Sequence, residues 1–129
     1  SKRLIELLAH GELNLENLEL LKVGRHFRIG GNTRLVVGRN EGENNQLSQF
    51  AQAGDYLFSP QMDLAGPTAL ARGVINQEII FLASQVTAAY TDAAGLEKIE
   101  VFYRRFPSAE DSVHQVAHLS KAKFAHLFV

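Results

Sequence analysis

The 129 residues contain no cysteine. That absence rules out disulfides, thiolate nucleophiles and Cys-rich metal sites, and it fits a cytoplasmic protein. No apolar run approaches the roughly 20 residues of a membrane span, and nothing reads as a signal peptide. A Walker loop, a nucleophile elbow and a carboxylate cluster in apolar surroundings are all missing. The chain alone is therefore expected not to be an enzyme, and no cofactor is implied. Net charge is nearly absent too, at −1, which excludes a wholesale polycation.

What is present is an ordinary globular composition, 46% hydrophobic and 21% charged, at a length that suits one domain with one core. The charge is segregated. From Lys22 to Arg39 stand five basic residues, Lys22, Arg25, Arg28, Arg34 and Arg39, and no acid. From Asn40 to Asp63 stand four acids, Glu41, Glu43, Asp55 and Asp63, and no Lys or Arg. Such a surface can steer an anionic partner, or its two halves can pair with each other.

Apolar spacing predicts a short helix over 2–10 closed by Gly11, then a leucine-rich acidic stretch, Leu13 to Leu21, read as a short helix or a docking segment. Residues 25–29 and 33–37 read as a hairpin around Gly30-Gly31-Asn32, with Gly30 or Gly31 at positive φ. Parity sets its register: Ile29 opposite Thr33, Arg28 opposite Arg34, Phe27 opposite Leu35. One face then holds Phe27, Ile29, Leu35 and Val37, the other His26, Arg28 and Arg34. Two arginines directly opposite repel by a few tenths to about 1 kcal/mol, so an anion is expected beside them, either an acid of the chain or a ligand.

Helices are expected over 41–53, capped by Asn40 with Glu43 completing a capping box, and over 77–94, capped by Asn76 and ended by Gly95. Strands are expected at 56–58, 68–71 and 98–105. A last strand is read within 113–119, and Ser120 caps a short C-terminal helix. The fold class is α+β: a single domain with a mixed, mostly antiparallel sheet packed with two main helices.

The turn at Gly38-Arg39-Asn40 aims Arg39 and the first free N–H groups of a helix into one small volume, a setting that suits phosphate. This stretch also carries a resemblance. Phe27-Arg28, Val36-Val37-Gly38-Arg39-Asn40 and Asn44-Asn45-Gln46-Leu47 resemble the signature of the NFACT-type RNA-binding domain. Asp55-Tyr56-Leu57-Phe58, Asp63-Leu64-Ala65-Gly66-Pro67, the strand ending at Arg72 and Val101-Phe102-Tyr103 follow in matching order. More narrowly, Leu20 to Arg28 and Gly66 to Gly73 look like a bacterial subgroup in which this domain follows a PP-loop ATPase resembling tRNA 2-thiouridylases. The resemblance implies contact with RNA, most often tRNA, and makes residues 1–21 the tail of an upstream catalytic part and 22–129 the RNA-binding-like domain. The parent would then be a tRNA-modifying transferase. This chain departs from the wider family in the loop Ser59-Pro60-Gln61-Met62, where a His and an Arg are usual, and at Thr68, where a His is usual.

Arg39 and Asn40 are the leading phosphate-binding candidates, with Arg39 paired to Glu43 or Asp63 as the purely structural alternative. Arg28, Arg34, Arg72 and Arg104 form a second tier, because a planar guanidinium binds two phosphate oxygens at once. Reversing Arg34 and Arg39 to Glu is expected to weaken tRNA binding with the fold intact. Of Tyr56, Phe58, Phe102 and Tyr103, at most one is expected to be exposed for base stacking. His114 and His118 would share a helix face, but no third metal ligand stands at motif spacing, and no metal site is expected. The rival to RNA binding is a protein–protein docking module acting through residues 13–21.

Overall fold

The computed structural model describes residues 1–12 and 14–129. Leu13, the first residue of the leucine-rich stretch, lies outside them. Six strands form one sheet: β1 (Arg25–Gly30), β2 (Thr33–Val37), β3 (Tyr56–Pro60), β4 (Ala69–Gly73), β5 (Lys98–Arg105) and β6 (Ser112–Ala117). Their order is β1-β2-β4-β3-β5-β6, and every pairing is antiparallel. The helices are α1 (Lys2–Ala9), α2 (Leu15–Leu20), α3 (Glu41–Phe50) and α4 (Gln77–Ala89), followed by a 3₁₀ helix at Lys121–Leu127.

Period-two alternation divides the sheet's side chains between two layers. On one face Phe27, Ile29, Leu35, Val37, Phe58, Ala71, Ile99 and Val101 pack against Ile80, Ala83 and Val86 of α4 and Phe124 of the 3₁₀ helix. On the other, Val36, Leu57 and Leu70 meet Leu20, Val23 and Leu47, so α2 and α3 cover that face over its β1-β2-β4-β3 part. The same face of β5 and β6 carries Phe102, Arg104, Val113 and Gln115 and has no helix over it. That opening is what a functional surface can use.

The hairpin's faces fall as the parity argument expects, and Phe27 pairs with Leu35 and Arg28 with Arg34. Its tip differs. Gly30, not Ile29, stands opposite Thr33, because the register shifts at a bulge between Arg28 and Gly30. The extra residue is absorbed in the strand, so the turn shortens to Gly31-Asn32 and neither Gly30 nor Gly31 takes positive φ. Gly30 answers to space instead: a Cβ there would lie 2.9 Å from Cδ1 of Ile79. The left-handed glycine is Gly73 on the neighbouring strand, φ +126°, where a Cβ would lie 1.9 Å from the Asn32 carbonyl oxygen.

Helix α4 stops at Ala89 rather than 94. The Asp92 amide leaves the helix to donate to the Ala65 carbonyl at 2.8 Å, and Ala94 and Gly95 both turn to positive φ. Helix α3 likewise ends at Phe50 rather than 53, since Ala51 is already extended.

Candidate nucleic-acid interface

The register builds a row of three arginines across three strands. Arg28 of β1 stands opposite Arg34 of β2, and Arg34 stands opposite Arg72 of β4. The anion expected beside the first pair is supplied by the chain. Arg28 donates to Glu6 from Nε at 2.8 Å and Nη2 at 2.7 Å, and to Glu12 from Nη1 at 2.9 Å and Nη2 at 2.7 Å. Arg34 also donates to Glu6 from Nη2, and from Nη1 to Nδ1 of His26 at 2.8 Å. Arg72 donates to Asp55 at 2.8 Å, to the Phe50 carbonyl at 3.0 Å and to Oδ1 of Asn17 at 3.2 Å. Helix α1 and the chain after it thus lie over the arginine row as an acidic cover.

Physical chemistry keeps these charges matched. The bonds from Arg28, with those from Arg34, hold the Glu6 carboxyl down to about 2 against the opposing pull of burial. Burial disfavours the charge on Arg28, but the bonds to Glu12 and Glu6 outweigh it and raise its pKa. His26 is fully buried, and desolvation, reinforced by Arg3 and Arg34, lowers it to about 3. The ring is therefore neutral: Nε2–H donates to the carbonyls of Leu20 and Val23, both at 2.9 Å, which leaves Nδ1 to accept from Arg34.

Arg39 and Asn40 stand at the exposed N-terminus of α3. Asn40 Oδ1 accepts from the Glu43 amide at 2.9 Å, the N-cap that its position predicts. Glu43 does not close the expected box onto Asn40. Its carboxylate reaches one residue further, accepting from the Arg39 and Gly24 amides, each at 3.0 Å, and from the Arg39 guanidinium at 2.7 and 2.8 Å. The Arg39 bonds, opposed by burial, lower Glu43 to about 2. Arg39 still shows 46% of its side chain to solvent, so it can meet a phosphate without leaving Glu43.

Helix α3 runs from that end toward the open part of the sheet. Asn44 Oδ1 accepts from the Thr68 amide at 3.0 Å, and one turn on, Ser48 lines a shallow hollow of about 90 Å³ with Ser59, Thr68, Phe102, Arg104 and Asp111. Arg104 makes no side-chain hydrogen bond or ion pair among the described residues. Of the four aromatics weighed as stacking platforms, Phe58 is buried, and Tyr56 and Tyr103 pack toward α4. Phe102 alone of these stands, half-buried, on the open face beside Arg104. Alternation along β5 could have separated Phe102 and Arg104 from Val101 in advance. Nothing local pointed to Ser48 as part of the hollow or to Glu6 and Glu12 as partners of Arg28, because those contacts join residues far apart in the chain.

His114 lies on strand β6 and His118 just past its end. At about 3.3 Å per strand residue they are some 13 Å apart, and His118 Nε2 meets the Thr91 carbonyl at 3.0 Å while the His114 ring lies against Tyr103. Among the described residues no three His, Cys, Asp or Glu side chains gather around a common point.

The sequence pattern described as the NFACT protein RNA binding domain matches residues 24–128. No curated protein matches the chain. Among solved structures, the C-terminal part of the fibronectin/fibrinogen-binding protein from Streptococcus suis is similar, with a TM-score of 0.68 at 16% identity. That likeness covers 83% of this chain and 49% of the other, so this chain spans about half of that structure. At this identity the likeness concerns the fold.

Proposed function

The chain belongs to the NFACT-type RNA-binding domain family, and from that membership we propose a tRNA-binding accessory domain of a tRNA-modifying, thiouridylase-like or thiouridylate methyltransferase-like protein. The observation that carries the placement of the interface is the strip from the α3 N-terminus to the hollow at Arg104. It joins an exposed Arg39, the unpaired amides of a helix start, the hydroxyls of Ser48 and Thr68, an unpartnered Arg104 and the ring of Phe102. Guanidinium groups and helix amides take phosphate, and an aromatic on an open sheet takes a base. Ser59 and Thr68, at positions where resembling domains carry other polar or basic groups, line the same hollow. The preference for tRNA and the PP-loop parent rest on the resemblance of Leu20 to Arg28 and Gly66 to Gly73. In this reading the domain binds, the chemistry belongs to an upstream catalytic part, and both work in the cytoplasm.

Binding of labelled tRNA across a salt series tests this. The Arg39→Glu/Arg104→Glu variant is expected to keep its circular dichroism and melting temperature. It should lose tRNA affinity and flatten the slope of log K against log salt by roughly 1.5 units, as for two lost phosphate contacts. Affinity that does not change would place the interface elsewhere, and no tRNA binding by the unaltered chain would remove the reading.

A second reading has its own support. Ile5, Leu8, Leu15 and Leu18 of α1 and α2 are exposed, an apolar set that suits docking against a protein. With no RNA binding, the docking module becomes the function; with it, the same side chains would seat the upstream domain.

A further inference from the structure

A cavity of about 390 Å³ lies between the α1–α2 segment and the sheet, at the opposite side of the covered face from the Arg104 hollow. Its floor is apolar, made by Leu20, Val36 and Leu70, and its rim carries Asn14, Asn32 and Val74, with Arg34 and Arg72 in the wall. The volume falls in the usual range for small-ligand sites, roughly 300–1,000 Å³.

Charge decides what kind of group it suits. The three guanidinium groups of Arg28, Arg34 and Arg72 are met by three carboxylates, Glu6, Glu12 and Asp55. With that balance a phosphate would enter against an already neutral wall. Hydrogen bonding narrows the choice. Asn17 is fully engaged, donating to the Glu12 carbonyl at 2.6 Å and accepting from Arg72. Asn14 Oδ1 accepts from the Asn17 amide at 2.8 Å, which leaves its NH₂ group. Arg34 is 6% exposed and its Nε is buried without a partner among the described residues. A buried N–H left unmet costs roughly 1–3 kcal/mol, and a ligand acceptor would remove that cost. The groups left over in the wall are thus mainly donors above an apolar floor.

We propose that this cavity holds one unstacked, uncharged nucleobase of the keto class, guanine above all, whose adjacent O6 and N7 acceptors match such donors. The site deepens the RNA-binding reading and rests on it: the strip along α3 would hold the phosphates, and this cavity one base. Single-stranded RNA is read in this way, by splayed bases whose edges are hydrogen-bonded in pockets.

The test uses the whole chain and free nucleosides. Guanosine is expected to bind about tenfold tighter than adenosine, which carries an amino donor in place of O6, and its affinity should barely change with salt. Val74 is exposed at the rim, so Val74→Trp should block guanosine while Val74→Ala keeps it. In parallel, the Arg34 Nε–H resonance of the unaltered protein should shift with guanosine; this reads the site even if the Trp variant folds poorly. Failure of guanosine to bind, equal binding of adenosine, steep salt dependence, or an unmoved Arg34 resonance overturns the proposal. If tRNA binding persists in any of those cases, only the base site is lost; if tRNA binding is also absent, the RNA reading has failed.

Discussion

His26 shows at the scale of one residue how burial selects a chemical state. Its ring sits between two backbone carbonyls and a guanidinium, a set of partners that the neutral Nε2–H form satisfies and the imidazolium does not. Above pH 6.5, folded and unfolded chains both hold His26 neutral. Below it the unfolded chain takes a proton that the folded one refuses until about pH 3. Stability should therefore fall as the pH drops from 6.5 toward 3, by about 1.4 kcal/mol per pH unit for this one proton. Below pH 4.5, Glu6 and Glu43 add to the loss, because their folded pKa values near 2 mean that the unfolded chain protonates first. Urea titrations at successive pH values measure the slope, and the His26 ring signals should not move between pH 7 and 4. A His26 ring that titrates near 6.5 would mean it is not sealed. The sequence placed His26 on the arginine face of the hairpin; that this face is dry depends on α1 and α2, which no local pattern around His26 reveals.

Among the elements, α3 is the most locally written. Asn40 takes the N-cap, its side chain accepting from Glu43 as the spacing implies. Asn40→Ala should destabilise the protein by roughly 0.5–2 kcal/mol, and unchanged chemical denaturation would mean that the helix start is held otherwise, by Glu43. The neighbouring hairpin is less local. Its faces follow from parity, but the bulge before Gly30 does not, since it answers to Ile79 of α4 and to the Gly73 end of β4. For the same reason Arg34 is not the fold-neutral probe that its strand face suggested. At 6% exposure beside Glu6, a carboxylate in its place would meet a like charge in a dry site. Arg39 and Arg104 are the fitting pair for charge reversal.

For the whole molecule, the N-terminal segment is tied to the sheet by charge more than by apolar burial. Only Leu7 of α1 and Leu20 of α2 are buried, whereas Glu6 and Glu12 engage two arginines of the row. Glu6→Gln/Glu12→Gln is expected to raise hydrogen exchange across residues 2–20 while β1 to β6 and α4 keep their protection. Protection lost evenly over the sheet would show instead that the segment is part of the core. By itself the sequence determined the α+β class, the antiparallel ladders, the caps at Asn40, Asn76 and Ser120 and the two faces of the hairpin. All of these depend on periodicity, turn chemistry and hydrogen bonds that reach a few residues along the chain. Tertiary structure alone decided which cations are neutralised. Arg28 meets Glu6 across 22 residues and Arg72 meets Asn17 across 55, while Arg104, on the same sheet face, meets no acid. Charge acts through space rather than along the chain, and only the folded arrangement of α1 over β1, β2 and β4 distinguishes an arginine already paired from one left for a ligand.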